Sequence, residues 1–400
     1  MNPDLPGDLH PTYRSCTAGE TFSKVSPYLA RLGITRIARH TDLDRIGVPV
    51  WGAYVPNAKA IVIAQGKGLT DEVAKTSAVM EAVERVIATR PACGGEELSV
   101  TELSQRCVKV HKLDCLLAAG AMEIGVDERM HWTPARSLVD GNDVWVPFDA
   151  IHLDRTIVNS RYWLSSDGLS AGNTQDEATL HGLLERVERD AITLWEVRSL
   201  AKRYECKIAL RHINDLEVVS LVQRIEQAGL ELAMFDITSD LGVPTMVALL
   251  APRRPQARRD LRHIDITFGA GASFSPGGAM LRAITEAVQS RMTYISGARD
   301  DILPDMFTQP ALADHIAAFV APAQKMHTDI PSLTVSSINH ALKTLVSRLA
   351  DKGVEHMLAI ELAPDWLPVS VVKVIVPELE NPDGARRQHF GMRALSMSLQ

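Results

Sequence analysis

The sequence predicts an α+β fold in which mixed β-sheets carry three pseudo-equivalent helices that converge within one unit. Two observations lead there. Short runs rich in β-branched residues alternate with long segments of helical apolar periodicity, and no low-complexity linker divides the 400-residue chain. One helix design also recurs three times. Setting GLTDEVAKTSAVMEAVER (68–85) over GNTQDEATLHGLLERVER (172–189) aligns glycine, threonine, alanine and a terminal E-x-V-E-R without a gap. SFSPGGAMLRAITEAVQS (273–290) is a weaker third copy, with Gln289 where the others have glutamate. A spacing of about 100 residues is too long for a stacked solenoid unit, so the copies are read as converging.

Element by element, residues 1 to about 18 read as a loosely held arm, followed by a helix over GETFSKVSPYLARLGI, where Phe22, Val25, Tyr28, Leu29 and Leu32 recur at helical spacing. IGVPVWGAYV and AIVIAQGKG read as short strands, TDEVAKTSAVMEAVERVIATR as a helix, and HKLDCLLAAGAM (111–122) as a further helix. The strand DVWVPFDAIHLD leads through a loop to the long amphipathic helix read over residues 170–196. Beyond it come helix HINDLEVVSLVQRIEQAGL, strands LELAMFDIT, PTMVALLAP and RHIDITFGAGASF, and helix GGAMLRAITEAVQSRMTYI. A polar loop near 297–310, helix SSINHALKTLVSRLADKG and strands HMLAIELAP and VSVVKVIVPEL close the chain.

Composition excludes several function classes. With 46% apolar residues a large core needs no metal or disulfide support. The formal charge of −7, without a run of Lys or Arg, argues against a nucleic-acid surface. Five scattered cysteines without a C-x-x-C pair suit reduced thiols in a cytoplasmic protein. The polar, proline-rich start MNPDLPGDLHPTY is unlike a signal peptide, and no apolar run approaches the roughly 20 residues that cross a bilayer.

The chemistry concentrates in acids. Thr174 and Glu177 fit a capping box, the hydroxyl accepting an early N–H and the acid reaching back. At about 100° per residue, Glu177, His181 and Glu188 share a narrow sector beside the apolar arc of Leu180, Leu183, Leu184, Val187 and Ala191, with Glu185 about 60° further round. Charge at the border of buried surface needs a cationic partner. Arg85, Arg186 and Arg189 could supply an ordinary salt-bridge network. Alternatively Glu81, Glu84, Glu185 and Glu188 could hold Mg²⁺, an ion that shares carboxylate oxygens with substrate phosphates. The glycine-bearing entrances QGKG (65–68, with Lys67) and SAGN (170–173, with Ser170 and Asn173) precede helix N-termini, which favour anions. Neither fits the Walker or G-x-G-x-x-G pattern.

SDGLSAGNTQDEATLHGLLERVERDAITLW strongly resembles the signature of the YcaO family, and QGKGLTDEVAKTSAVMEAVER resembles that family's other block, within a match running from about residue 50 to 380. The resemblance implies a YcaO-type fold whose three helices meet at a nucleotide site, with ATP and Mg²⁺ as cofactors. Ser170, Asn173, Glu177, Glu185, Glu188 and Arg189 stand where the family's nucleotide and magnesium ligands would be, Glu81 and Glu84 match its acidic pair, and Glu286, Gln289 and Arg291 resemble its E-x-x-Q element near the nucleotide. Glu188 and Glu185 are accordingly the expected catalytic residues. The implied organisation is an N-terminal arm and helix (1–50), a YcaO domain (51–385) and a C-terminal tail (386–400).

The implied reaction is ATP-dependent activation of a peptide backbone amide by O-phosphorylation, giving a thioamide with sulfide or an azoline with a side-chain nucleophile. LARLGITRIARHTDLDRIGVPVWGAYVP resembles the N-terminal block of the TfuA-associated, thioamide-forming branch. That points to a ribosomally made precursor peptide as substrate, with a TfuA-like partner protein, a sulfur donor and a homodimeric state. An appended ubiquitin-activating-like domain is absent, and the ending GMRALSMSLQ lacks the proline-rich tail common in azoline-forming members. A non-catalytic peptide-binding scaffold, keeping the acids as salt-bridge partners, is the alternative from another class.

Overall fold

The computed structural model describes residues 13–326, 329–381 and 384–399. Most of the expected arm (1–12) and the last residue of the expected tail lie outside this range. In chain order the elements begin with α1 (Ala18–Val25), β1 (Arg36–Arg39), β2 (Val50–Tyr54), β3 (Ile63–Lys67) and α2 (Asp71–Ala88). Next come β4 (Glu96–Leu98), α3 (Val100–Gln105), β5 (Lys109–Val110), β6 (Met130–Ser137), β7 (Asp143–Pro147), β8 (Leu169–Gly172) and α4 (Gln175–Glu196). The second half runs through α5 (Leu200–Glu205), α6 (Leu216–Gln227), β9 (Leu230–Asp236), β10 (Thr245–Pro252), β11 (Thr267–Ala272), α7 (Pro276–Ser296) and α8 (Ala313–Val320). It closes with α9 (Ile338–Asp351), β12 (Leu358–Glu361), β13 (Ser370–Ile375) and α10 (Met392–Ser398).

Three sheets result, ordered β1-β2-β3, β11-β10-β9 and β5-β7-β6-β12-β13-β8, with β4 also paired to β6. The large sheet is mixed: β5 runs parallel to β7 and its other pairings are antiparallel. The α+β expectation with mixed sheets holds.

The repeated segments form three strand–helix units, β3–α2, β8–α4 and β11–α7. Each helix starts identically, with Thr70, Thr174 or Ser275 accepting the N–H of the residue three further on. Strand and helix approach so closely that one side chain must be missing from each contact. A Cβ on Gly66 would lie 2.0 Å from the Ala78 nitrogen, and one on Gly271 would lie 2.5 Å from the Ala279 oxygen. In the middle unit the strand carries Ser170, and the helix gives way instead. Gly182 occupies the place of Ala78, and a Cβ there would meet Ser170 Oγ at 2.9 Å.

Two expectations fail. Residues 111–122 form one 3₁₀ turn (Asp114–Leu116) and no α-helix. Leu113 adopts φ +55° and Gly120 φ +81°, so the helical spacing of the leucines there reflects separate burial of Leu113, Leu116 and Leu117 under the large sheet. Nor is α4 a half-exposed amphipathic helix: from Glu177 to Trp195 only Glu185 and Arg189 escape full burial, because β8, β13, β11, α9 and α10 pack around it. The stretch 19–34 is helical only through Tyr28, a 3₁₀ turn completing α1. No described helix is long and apolar enough to cross a membrane.

Candidate functional site

The three units join head to tail through the last polar residue of each E-x-x-E/Q. Glu84 on α2 accepts the Ala171 N–H of β8 (2.7 Å), and Glu188 on α4 accepts the Ala272 N–H of β11 (3.0 Å). Gln289 on α7 closes the ring by donating its amide to the Gln65 carbonyl of β3 (3.0 Å). The change from glutamate to glutamine in the third copy thus matches a change from donor to acceptor on the facing strand.

This closure gathers the first acids of the three motifs, Glu81, Glu185 and Glu286, with Glu84 and Glu188. Glu81 pairs with Arg85 (2.6 Å), Glu185 with Arg189 (3.4 Å) and Glu286 with Lys67. Protein surrounds these carboxyls, yet 27% of the Glu81 side chain and 25% of the Glu185 side chain meet solvent. They form a cluster that solvent still reaches.

Negative charge exceeds positive there. Burial, and then the neighbouring Glu81 charge, push the Glu84 carboxyl up to about 8. Burial pushes Glu185 up to about 7 against the pull of Arg189, with Asp167 and Glu188 adding to the rise. Glu188 is raised by burial and by Glu286. Glu286 feels the same burial, but Lys67 and Arg189 outweigh it and hold it below the usual range.

Among the described residues no three acidic, imidazole or thiol groups are gathered tightly enough to hold a metal alone. The donor set nevertheless fits Mg²⁺. It is all oxygen, and its surplus charge is what a divalent cation relieves; Mg²⁺ ordinarily takes one or two carboxylates plus substrate phosphates and not an all-protein cage.

Glu177 does not complete a capping box. Thr174 caps the helix, but the Glu177 carboxylate, fully buried, turns to the N-terminal segment. It receives Arg14 Nη1 (2.9 Å), the Ser15 N–H (3.0 Å) and Ser15 Oγ (2.6 Å), and it lies below the usual range because Arg14 and Ser15 outweigh burial. Asn173 also faces this segment, its Oδ1 accepting from Thr21 Oγ1 (3.1 Å) and Lys24 Nζ (3.2 Å). The described end of the arm is therefore fastened to the site. Ser170 is committed inward, donating to the Ala178 carbonyl (2.5 Å). Arg291 is set apart from the acids, against the buried Asp44 (3.3 Å).

Residues that sequence reasoning passed over complete the site. Arg282, one turn before Glu286, lies within electrostatic reach of both Glu188 and Glu286. Buried Lys373 on β13 donates to the carbonyls of Ser165 and Asp167 (2.7 Å each), holding the loop that leads into β8. A lone lysine inside the apolar run VSVVKVIVP was the available signal. His181, fully enclosed, is neutral because burial and then Arg14 and Arg282 depress it.

A family profile described as YcaO cyclodehydratase, ATP- and Mg²⁺-binding, matches residues 65–380. A Rhizobium leguminosarum bv. trifolii protein from the tfuA 3′ region is 34% identical over 396 residues, covering 96% of this chain and 92% of that one. A Methanothermobacter thermautotrophicus protein is 31% identical, covering 93% and 96%. Among solved structures, the YcaO of Methanopyrus kandleri bound with AMPPCP and Mg²⁺ superposes with a TM-score of 0.72 at 23% identity, over 92% of each chain. A heterocyclase in complex with substrate and cofactor superposes with a TM-score of 0.76 at 22% identity; this chain covers 92% of itself and spans only 53% of that one.

Proposed function

Since the chain belongs to the YcaO family, whose members bind ATP and Mg²⁺, we propose that it activates a backbone amide of a ribosomally made peptide by O-phosphorylation and converts it to a thioamide. The observation that carries this reading is the head-to-tail closure that brings Glu81, Glu84, Glu185, Glu188 and Glu286 from three helices into one cluster. Similarity to a protein of a tfuA region supports sulfide over a side-chain nucleophile, with a TfuA-like partner and a sulfur donor; a cytoplasmic setting and a homodimer belong to the same proposal.

In this reading Glu81, Glu84, Glu185 and Glu188 hold Mg²⁺, with Glu185 and Glu188 closest to the chemistry. When bound, Mg-ATP supplies the transferable phosphoryl group and compensates its charge. Lys67, Arg189 and Arg282 supply fixed positive charge beside the acids for the phosphates. Asn173 and Glu177 flank the nucleotide from the α4 entrance, Ser170 sets that entrance by its bond to Ala178, and Glu286 and Gln289 frame the opposite side, whereas Arg291, turned to Asp44, stands away from it.

The test is mass spectrometry of candidate precursor peptides incubated with the protein, ATP, Mg²⁺, sulfide and a TfuA-like partner. Exchange of oxygen for sulfur is the expected outcome. Loss of water would favour the azoline alternative, and no Mg-ATP binding by calorimetry would leave only the scaffold.

A further inference from the structure

Arg189, which the nucleotide reading sets beside the phosphates, is held from two sides. Its Nη2 donates to Glu185 (3.4 Å), and its Nε faces Asp167 Oδ1 at 3.9 Å, an ion pair too long for a hydrogen bond. Nη1 enters neither contact, and 33% of the side chain meets solvent. Four acids lie within electrostatic reach of this guanidinium: Glu185, Asp167, Glu188 and Glu286. Three of them belong to the helix motifs, where Mg²⁺ or Lys67 engages them. Asp167 alone comes from outside the cluster.

Asp167 spans two arginines of α4, which stand three positions apart and share one face of the helix. Its Oδ2 lies 3.6 Å from Arg186 Nη1, and Arg186 is tied down in turn by Nη2, which donates to the Glu380 carbonyl (2.7 Å). Arg186 is thus the fixed end of the pair and Arg189 the end that reaches the acids. The loop beneath Asp167 keeps it still. Its N–H is donated to Ser165 Oγ (3.0 Å), and its carbonyl, with that of Ser165, accepts the buried Lys373 ammonium (2.7 Å each). The next residue, Gly168, adopts φ +70°, and its carbonyl accepts the Val374 N–H (2.8 Å). A Cβ there would lie 2.1 Å from the Val374 oxygen, so only glycine lets the turn sit this close to β13. With 9% of its surface exposed, Asp167 is a carboxylate that needs cationic partners, and its two oxygens face two different guanidiniums.

We propose that Asp167 is a positioning residue for nucleotide binding: it fixes the Arg189 guanidinium against Glu185 so that the unused N–H groups meet the phosphates. Asp167 touches no phosphate itself and acts through Arg189. The inference rests on the reading of the acid cluster as a Mg-ATP site and holds for a thioamide or an azoline product alike.

The direction of the effect separates placement from charge. Asp167→Asn takes a negative charge away from an anion site, which by itself tightens Mg-ATP, whereas a displaced guanidinium weakens it. Calorimetry on the full chain should find the Mg-ATP dissociation constant raised about tenfold in Asp167→Asn. In an Arg189→Lys background, which keeps the charge but lacks the planar fork, the same change should cost less than about twofold, because nothing remains to be oriented. Ser165→Ala loosens the same turn without altering any charge, and guards against a folding defect in Asp167→Asn. It should raise the dissociation constant about threefold in the parent and leave it level in Arg189→Lys. Tighter or unchanged binding in both Asp167→Asn and Ser165→Ala would overturn the positioning role. Equal losses in the two backgrounds would overturn it as well, since they mark a residue that serves the fold alone. No Mg-ATP binding by the parent protein would instead overturn the nucleotide reading beneath it.

Discussion

Glu188 accepts a backbone N–H from the next unit while its ionised form is disfavoured by burial and by Glu286. Glu188→Gln keeps an oxygen acceptor and removes the charge, so it should lower peptide-dependent phosphate release by about 10² or more and leave the melting temperature level or slightly higher. A marked fall in melting temperature with activity preserved would refute the assignment. Asp154 makes the opposite case. Burial alone would raise it, but Lys59 and Thr156 hold it at about 2, below its unfolded value, so its contribution is present above the unfolded pKa and lost as pH falls through the folded one. Asp154→Asn should therefore be less stable than the parent at pH 7 in urea titrations, with the gap closing between about pH 4 and pH 2. A gap that ignores pH would contradict this. Acid pairs four helix positions from a basic residue were legible in sequence; the attachment of Glu177 to Arg14 and Ser15 was not, because a capping box explains the same acid locally.

At the scale of elements, the three helices were legible because their signals are short-range: a capping hydroxyl, then alanines, then E-x-x-E/Q. The order in which they latch was hidden, since Gln289 looked like a lost acid until its partner proved to be a carbonyl. The swap at Ser170 and Gly182 offers a direct test of equivalence. Gly182→Ala should destabilise by about 2 kcal/mol or more through overpacking, since the new Cβ also meets the Gly168 oxygen at 2.8 Å. Adding Ser170→Gly, which restores the arrangement of the outer units, should recover part of that loss in chemical denaturation; strict additivity of the two changes would argue against the shared design. Residues 111–122 mark the converse failure, where leucines spaced as in a helix are buried one by one on an irregular path.

Across the whole molecule, distant segments complete α4. Asp190, with no exposed surface, is paired by Arg393 of α10 at 2.9 Å, and Asp240 shares the same guanidinium. Arg393→Ala leaves a buried carboxylate unpaired and should cost about 3–5 kcal/mol, read as a lower urea midpoint; a change under about 1 kcal/mol would place α10 as a surface accessory. Saturating Mg-ATP should raise the stability of the parent by about 2.7 kcal/mol at a hundredfold excess over Kd. Such pairings escape a sequence reading because nothing in the local pattern of either partner announces the other. The same long reach bears on biosynthesis. β8, which feeds the acid-bearing helix, has β13 as its neighbour in the sheet, and α10 docks later still. A nascent chain that has not yet reached β13 and α10 thus lacks the pieces that enclose α4, so the acid cluster assembles only once both have been made, and products truncated before them expose that helix to proteases and chaperones.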